Sequence, residues 1–391
     1  MPAPLLLDLS HTCHTRARTG IQRVTRSLHD ALGERAVAVT HDPHRQAWRT
    51  LAPWERANLA AIEAAARRGA QWPLSTRLHG RASRLLRRRP SLPENSGALV
   101  PEIFSPAVAA ALPALFATAS GPRVALFHDA IALKFPELTP PKTVARFPAY
   151  LVELLAFDGI AAVSEDSRIS LLDYWQWLGV RKHPPVRSIP LGLDPTSPLP
   201  AAAHAAGSSD PVVLSVGSIE GRKNHLALLE ACEALWSRGA KFSLHLIGLA
   251  HPQTGGRALA QIRTLQSGGR PLRYDGPVSD AAVERAYSAC AFTVYPSLVE
   301  GFGLPVIESL AHGRPCVCSA RGALGESAAG GGCIALEQMD APAIATAMAR
   351  LLEDPAFATH LAAQARQRQF PSWSSYSTQL LAWFDELRMR T

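Results

Sequence analysis

Several classes of protein are excluded by what this chain does not contain. No uninterrupted apolar run reaches the roughly 20 residues that a membrane-spanning helix needs. The N-terminus, MPAPLLLDLSHT, has no basic leader and only a three-leucine apolar core, so it reads as a first strand and not as a signal peptide. Cysteine is sparse: Cys13, Cys232, Cys290, Cys316, Cys318 and Cys333. None forms a C-x-x-C pair, which speaks against zinc-ribbon and thioredoxin-like motifs and for buried free thiols in a reducing compartment. The trio His11, Cys13 and His14 has metal-capable atoms but matches no zinc spacing. No D-x-D acidic motif is present, and no metal and no cofactor are expected. Charged residues make up only 18% against 47% hydrophobic, so disorder is not the main state.

What is present points to a large α/β protein. The 391 residues suffice for two or three domains with a sizeable core. Short apolar runs alternate with amphipathic segments. Residues 3–9, 123–128, 159–163, 211–216 and 242–247 read as strands, and 20–33 and 225–238 as helices. Strands apolar on both faces and alternating with helices predict a parallel sheet. Residues 190–211, PLGLDPTSPLPAAAHAAGSSDP, are rich in Pro, Ala, Gly and Ser and predict a linker. The formal net charge of +8 suits anionic partners.

Residues 43–100 break the alternation. They hold Trp48, Trp54 and Trp72 and the arginines Arg77, Arg81, Arg84, Arg87, Arg88 and Arg89. On a helix, Leu78, Ala82, Leu85 and Leu86 share one face, with Arg77, Arg81, Arg84 and Arg88 flanking or opposing it. Two readings fit: a basic amphipathic helix on an anionic membrane surface, or a solvated basic face over the core. Nucleic acid is not an expected partner, because these cations lack the interleaved aromatics of a stacking platform.

Two stretches carry chemistry. In LSVGSIEGRKNH (214–225), an apolar strand ends at Val216, a small-residue turn follows, and Arg222 and Lys223 open a helix. A helix N-terminus beyond a parallel strand offers N–H groups to phosphate, and two adjacent cations add charge-assisted bonds to a diphosphate. The second stretch is AFTVYPSLVEGFGLPVIESLAHG (291–313). A strand leads to Glu300, Pro305 suits the first helical position and Gly313 suits the stop. Val306, Ile307, Leu310 and Ala311 form the buried face. Glu308 falls about 130° away, free to reach a ligand. The N–H groups of Gly303 and Leu304 would face an anion, and both acids should aim past it at hydroxyls.

EGFGLPVIESLAHGRPCVCS closely resembles the E-x7-E motif of retaining glycosyltransferases of family 4, and VGSIEGRKNHLALL resembles their phosphate-binding loop. YDGPVSDAAVERAYSAC (274–290), FHDAIALKFPE (127–137), VSEDSR (163–168), IPLGLD (189–194) and RTGIQRV (18–24) resemble further segments, in the family's order. The resemblance implies a GT-B fold, two Rossmann-like doubly wound domains facing a central cleft. Residues 1–195 would form the acceptor domain, 196–210 the linker, 211–370 the nucleotide-sugar domain, and 371–391 a helix crossing back. It implies a metal-independent, retaining hexosyltransferase. Its donor would be a nucleotide-diphosphate sugar, GDP-mannose first, with GDP-fucose, UDP- or dTDP-sugars as alternatives. Its acceptor would be a glycan or lipid-linked glycan of a cell-surface polysaccharide. The protein would be cytoplasmic, with a peripheral place on the inner membrane face through Arg77–Arg89 as one reading.

Carried over by position, the resemblance implies that Arg222 and Lys223 neutralise the diphosphate. Arg222 would replace an arginine that many members carry where this chain has Ser218. Glu300 and His128 would act at the sugar, and Glu308 would bind the ribose. Val278 lies where the family grips the base, and Gly20 would let its loop approach phosphates or sugar. Gly217, Phe302, Gly303 and Leu304 complete the donor-binding set. An epimerase-like enzyme acting on nucleotide sugars is the alternative activity.

Overall fold

A computed structural model of the chain describes residues 3–17, 20–61, 70, 72–87, 90–193 and 210–390. The linker expected at 196–210 therefore lies almost wholly outside the described residues, as do Arg18, Thr19, Arg88 and Arg89. The chain divides into two compact units. One holds residues 1–130, 145–192 and 371–391; the other holds 131–144 and 193–370.

The first unit is built on a seven-stranded sheet in the order β3-β2-β1-β4-β5-β6-β7. Its strands are β1 (Leu5–Asp8), β2 (Ala36–Asp42), β3 (Ala47–Thr50), β4 (Ala98–Val100), β5 (Arg123–Phe127), β6 (Gly159–Ala162) and β7 (Val186–Ser188). All pairs are parallel except β2 with β3, a hairpin at the sheet edge. Residues 43–100 are thus part of this sheet: they supply β3 and also β4, which lies between β1 and β5. At three residues, β4 is too short for an alternation signal. The final helix, Trp373–Arg388, packs on the same unit: Arg187 pairs with Glu386, and Trp383 and Leu387 close on Gly159, where a Cβ would come within 2.7 Å of Leu387.

The second unit carries a six-stranded, all-parallel sheet in the order β10-β9-β8-β11-β12-β13. Its strands are β8 (Val212–Val216), β9 (Ser243–Ile247), β10 (Leu272–Tyr274), β11 (Phe292–Val294), β12 (Cys316–Ser319) and β13 (Cys333–Leu336). Val213 joins a core with Leu228, Leu244 and Met348, while the next residue, Leu214, faces Tyr287 and Cys290 on the other side. Both faces are covered, which is why these strands read as continuous apolar runs.

In each unit the strand order runs outward in both directions from one pair, β1/β4 and β8/β11. Ligands of open parallel sheets bind at such reversal points, beyond the carboxyl ends of the strands. The β8/β11 pair leads into the two stretches with charged chemistry. No helix among the described residues is long and apolar enough to cross a membrane.

Candidate functional site

The second unit's site grows from the loops that leave β8 and β11. After β8, residues Gly221–Lys223 form one tight turn. Asn224 then takes a left-handed conformation (φ 53°) and starts the helix His225–Ser237. After β11, the loop is tied to this turn: Leu298 N–H donates to the Arg222 carbonyl at 2.9 Å, and an Arg222 N–H donates to the Val299 carbonyl at 3.4 Å.

The tie brings four charges together. Arg222 pairs with Glu220 at 2.8 Å and with Glu300 at 2.7 Å, and Lys223 pairs with Glu300 at 2.5 Å. Lys223 also donates to the Tyr295 hydroxyl and lies 4.6 Å from the centre of its ring. Burial by itself would raise the Glu300 carboxyl, but the charges of Arg222 and Lys223 outweigh it and hold the group at about 2. Burial also opposes the charge on Arg222, yet Glu300 and Glu220 push its guanidinium above the ordinary range. Lys223 is pushed down by burial and by Arg222, against the pull of Glu300.

The sequence reading aims Glu300 past the diphosphate at a hydroxyl; in the structure it pairs with both cations. Glu300 sits on the same two cations that the sequence reading reserves for a diphosphate. The reason is electrostatic: a buried lysine beside a half-buried arginine needs a counter-charge, and Glu300 and Glu220 supply it. Two cations and two carboxylates make the cluster formally neutral, not a bare positive pocket.

The helix Leu304–Ala311 begins beside this cluster. Its N-cap, Gly303, has φ 99°, and a Cβ there would come within 2.9 Å of Leu324, so both backbone and space demand glycine. Pro305 stands in the first turn. The N–H groups of Gly303 and Leu304 make no hydrogen bond among the described residues, as expected of a first turn. Ser327 donates to the Phe302 carbonyl at 2.6 Å and fixes the loop before the cap.

Glu308 departs from the helical-wheel expectation. It is buried, not free on an exposed face, and accepts a hydrogen bond from Tyr287 at 2.9 Å. Tyr287 stacks on His312, so a neighbouring helix encloses the polar side of this short one. The Tyr287 hydroxyl thus orients the Glu308 carboxylate. Gly217 follows β8, and a Cβ there would lie 3.7 Å from Tyr295 and 3.9 Å from Lys223. Ser218 is half-buried in the same turn, and Val278 packs half-buried against the core around Leu214 and Tyr287.

His128 and Gly20 belong to the first unit. His128 follows β5, is buried, and donates from Nε2 to the Pro101 carbonyl at 2.7 Å. The Pro101 carbonyl anchors the ring. Only Nδ1 is left to reach a ligand. Burial pushes the imidazole below its ordinary range, against the Pro101 hydrogen bond and the charges of Asp129 and Glu102. Gly20 starts the helix Gly20–Leu32, and a Cβ there would meet open space.

Sequence reasoning missed Glu220, Tyr295 and Tyr287, because their roles come from distant partners. It also missed a buried network near β1. Glu55 receives Arg49 at 2.7 and 2.8 Å and faces His14 Nε2 at 2.9 Å, and Arg49 also reaches Asp42 at 3.0 Å. Cys13 and His14 do lie with Glu55 in one cluster of potential metal ligands. Both His14 nitrogens, however, face oxygen acceptors, Ser10 O and Glu55, so neither lone pair is turned to a metal.

The fold these units define is that of GT-B glycosyltransferases. Sucrose-phosphate synthase from Thermosynechococcus elongatus superposes with a TM-score of 0.70 at 20% identity, covering all of both chains. Anabaena HepE, in a crystal structure with UDP and glucose, superposes at 0.69 and 14% identity, over 98% of this chain and 99% of its own. Residues 210–354 match the family model "Glycosyl transferases group 1". By sequence, the O-antigen chain mannosyltransferase B of Escherichia coli is 29% identical over 267 residues, which is 66% of this chain and 68% of that protein. The serotype-specific mannosyltransferase WbdA of Escherichia coli is 27% identical over 80% of this chain but only 38% of its own length. These matches support a GT-B glycosyltransferase.

Proposed function

We propose that the chain is a retaining glycosyltransferase that takes a sugar from a nucleotide-diphosphate donor, GDP-mannose first. The acceptor is a hydroxyl of a glycan or lipid-linked glycan in cell-surface polysaccharide synthesis. The observation that carries the reading is the convergence at β8/β11. Two cations, two unpaired N–H groups at a helix start and two acids meet at the sheet's reversal point. The two mannosyltransferase relatives favour mannose.

In this account the bond from the anomeric carbon to the diphosphate breaks, and its electron pair stays on the β-phosphate oxygen. Arg222, Lys223 and the N–H groups of Gly303 and Leu304 stabilise that charge as it grows. The acceptor oxygen bonds to the anomeric carbon on the face the phosphate leaves, and its proton passes to the departing phosphate. Glu300 and the diphosphate draw on the same cations, so donor binding loosens a Glu300 ion pair. The freed carboxylate then faces the positive charge developing on the sugar. Glu308, oriented by Tyr287, accepts from the ribose hydroxyls. No step of this scheme requires a metal or a cofactor.

The membrane reading of Arg77–Arg89 also gains support. The helix Leu74–Leu85 docks through Gly80 and Ser83 and leaves Leu74, Leu78 and Leu85 at 72, 65 and 84% exposure, beside the exposed Arg77, Arg81 and Arg84. A basic face laid over leucines does not describe this helix: its leucines face outward, as binding to an anionic lipid surface needs.

The test is transfer from GDP-mannose to a mannose-terminated oligosaccharide, followed by NMR of the new linkage. An α-linked product supports the proposal. An inverted product, or isomerisation of the donor with no acceptor consumed, refutes it.

A further inference from the structure

A second site lies on the face of the second sheet away from the Val213 core. Cys316 and Cys318 sit two residues apart on β12, and Cys333 on β13 is directly opposite Cys316 in the parallel register. Strand side chains alternate faces, so the three thiols share one face while Val317 points into the other core. Their sulfurs all lie within 4.8 Å of one another. Three sulfurs around one ion at a bond length of about 2.3 Å are about 4 Å apart, so only a small contraction closes the set.

We propose that Cys316, Cys318 and Cys333 form a binding site for one soft, thiophilic cation, with monovalent copper as the ion it fits. Thiolates alone select soft ions. Structural zinc takes four ligands, and no histidine or carboxylate joins these three sulfurs among the described residues. The surroundings are those of a closed site: Tyr295, Val306, Leu310 and Leu324 pack over Cys316 and Cys318. Arg368 is close enough for its charge to act on Cys333, offsetting part of the negative charge that three thiolates bring. Entry is from the Cys333 side, which is half-buried and follows Gly330, Gly331 and Gly332, all with φ between 84° and 95°.

The site has a bearing on the donor loops. Tyr295, the residue that holds Lys223, packs in the same cluster, and its N–H donates to the Val317 carbonyl between two of the cysteines. A bound ion staples β12 to β13 beneath the helix that carries Glu308.

The experiment is an anaerobic titration of the reduced full-length chain with Cu(I) against the chromogenic chelator bicinchoninate. The expected result is one Cu(I) withdrawn per chain, with X-ray absorption reporting three sulfur neighbours. Cys333→Ser should weaken binding by more than about 100-fold, beyond the 10- to 100-fold cost of losing an outer-shell partner. Cys232→Ser, in the opposite core, should bind as the parent does. Circular dichroism of each variant separates misfolding from ligand loss, and the parent titration stands on its own. No copper withdrawn, equal binding by Cys333→Ser, or Zn(II) held in preference to Cu(I) overturns the proposal.

Discussion

Two buried charge clusters, one in each unit, look alike by composition and differ in what they leave open. In the first unit, Arg49 sits between Asp42 and Glu55, and Glu55 also takes His14 and the Ala52 N–H. Trp54 stacks on His14, and Trp72 lies against it at a tilt. In the second unit, Arg222 and Lys223 share Glu300, with Glu220 on Arg222. Burial pulls both Glu55 and Glu300 upward and is outweighed by their partners, and each is held at about 2. A displaced carboxyl therefore does not by itself mark a functional site. The first cluster is enclosed by aromatic rings and ties a sheet edge to a loop. The second borders unpaired N–H groups at the point where strand order reverses. On the function proposed above, the difference separates a structural network from a ligand site.

Substitutions can break that comparison. The largest effect is expected from Arg222→Ala with Lys223→Ala. Loss of transition-state stabilisation by one donor typically costs 100- to 1000-fold in turnover, so the pair should cost at least that, read by sugar-transfer kinetics. The matching change in the other cluster, Glu55→Gln, should act on folding instead. It leaves Arg49 half-neutralised in the interior, at a cost of about 3–5 kcal/mol in urea unfolding.

A subtler change sharpens the contrast. Glu220→Gln releases Arg222 from one of its two acids and should tighten binding of a nucleoside diphosphate several-fold by calorimetry. Unchanged affinity would mean that Arg222 does not meet the phosphate. Gly303→Ala forces a side chain into left-handed backbone against Leu324, and should destabilise the chain by about 1–3 kcal/mol.

A further effect concerns pH. Both Glu55 and Glu300 have folded values below their ordinary one, so each contributes stability that is full above the ordinary carboxylate value. That stability fades as pH falls from about 4.5 toward about 2. Thermal unfolding between pH 6 and pH 3 should show this loss. Saturating nucleoside diphosphate should reduce it only where it replaces Glu300 on the cations.

Six parallel strands, β1, β5, β6, β8, β9 and β11, were legible, because strands covered on both faces leave apolar runs such as PVVLSV and FSLHLI. β2, β12 and β13 were not read, and the three-residue strands β4, β7 and β10 carry too few side chains to show a period, whereas β11, equally short, lies inside the longer apolar run AFTVYP. The candidate site divides in the same way. Arg222, Lys223, Glu300 and Gly303 were legible because loop chemistry sits next to them in sequence. Their mutual pairing was not, since the tie from Leu298 to Arg222 spans 298–222 and leaves no local trace. Glu308 failed on the helical wheel because its polar side is covered by Tyr287 of another helix. The two readings of Leu74–Leu85 could not be separated in the sequence for a related reason: Gly80 and Ser83 make the close contact, His44 lying against Gly80, and small residues carry little hydrophobic signal.

The central claim is that Arg222, Lys223 and the start of the helix at Gly303 hold a diphosphate. Calorimetric titration of the parent chain and of the Arg222→Ala, Lys223→Ala variant with GDP, UDP, dTDP and ADP tests it most directly. The account predicts that one of these binds the parent and that its affinity falls at least about 100-fold in the variant, a difference of roughly 2.7 kcal/mol. Binding of none of the four, or equal binding by parent and variant, would contradict it.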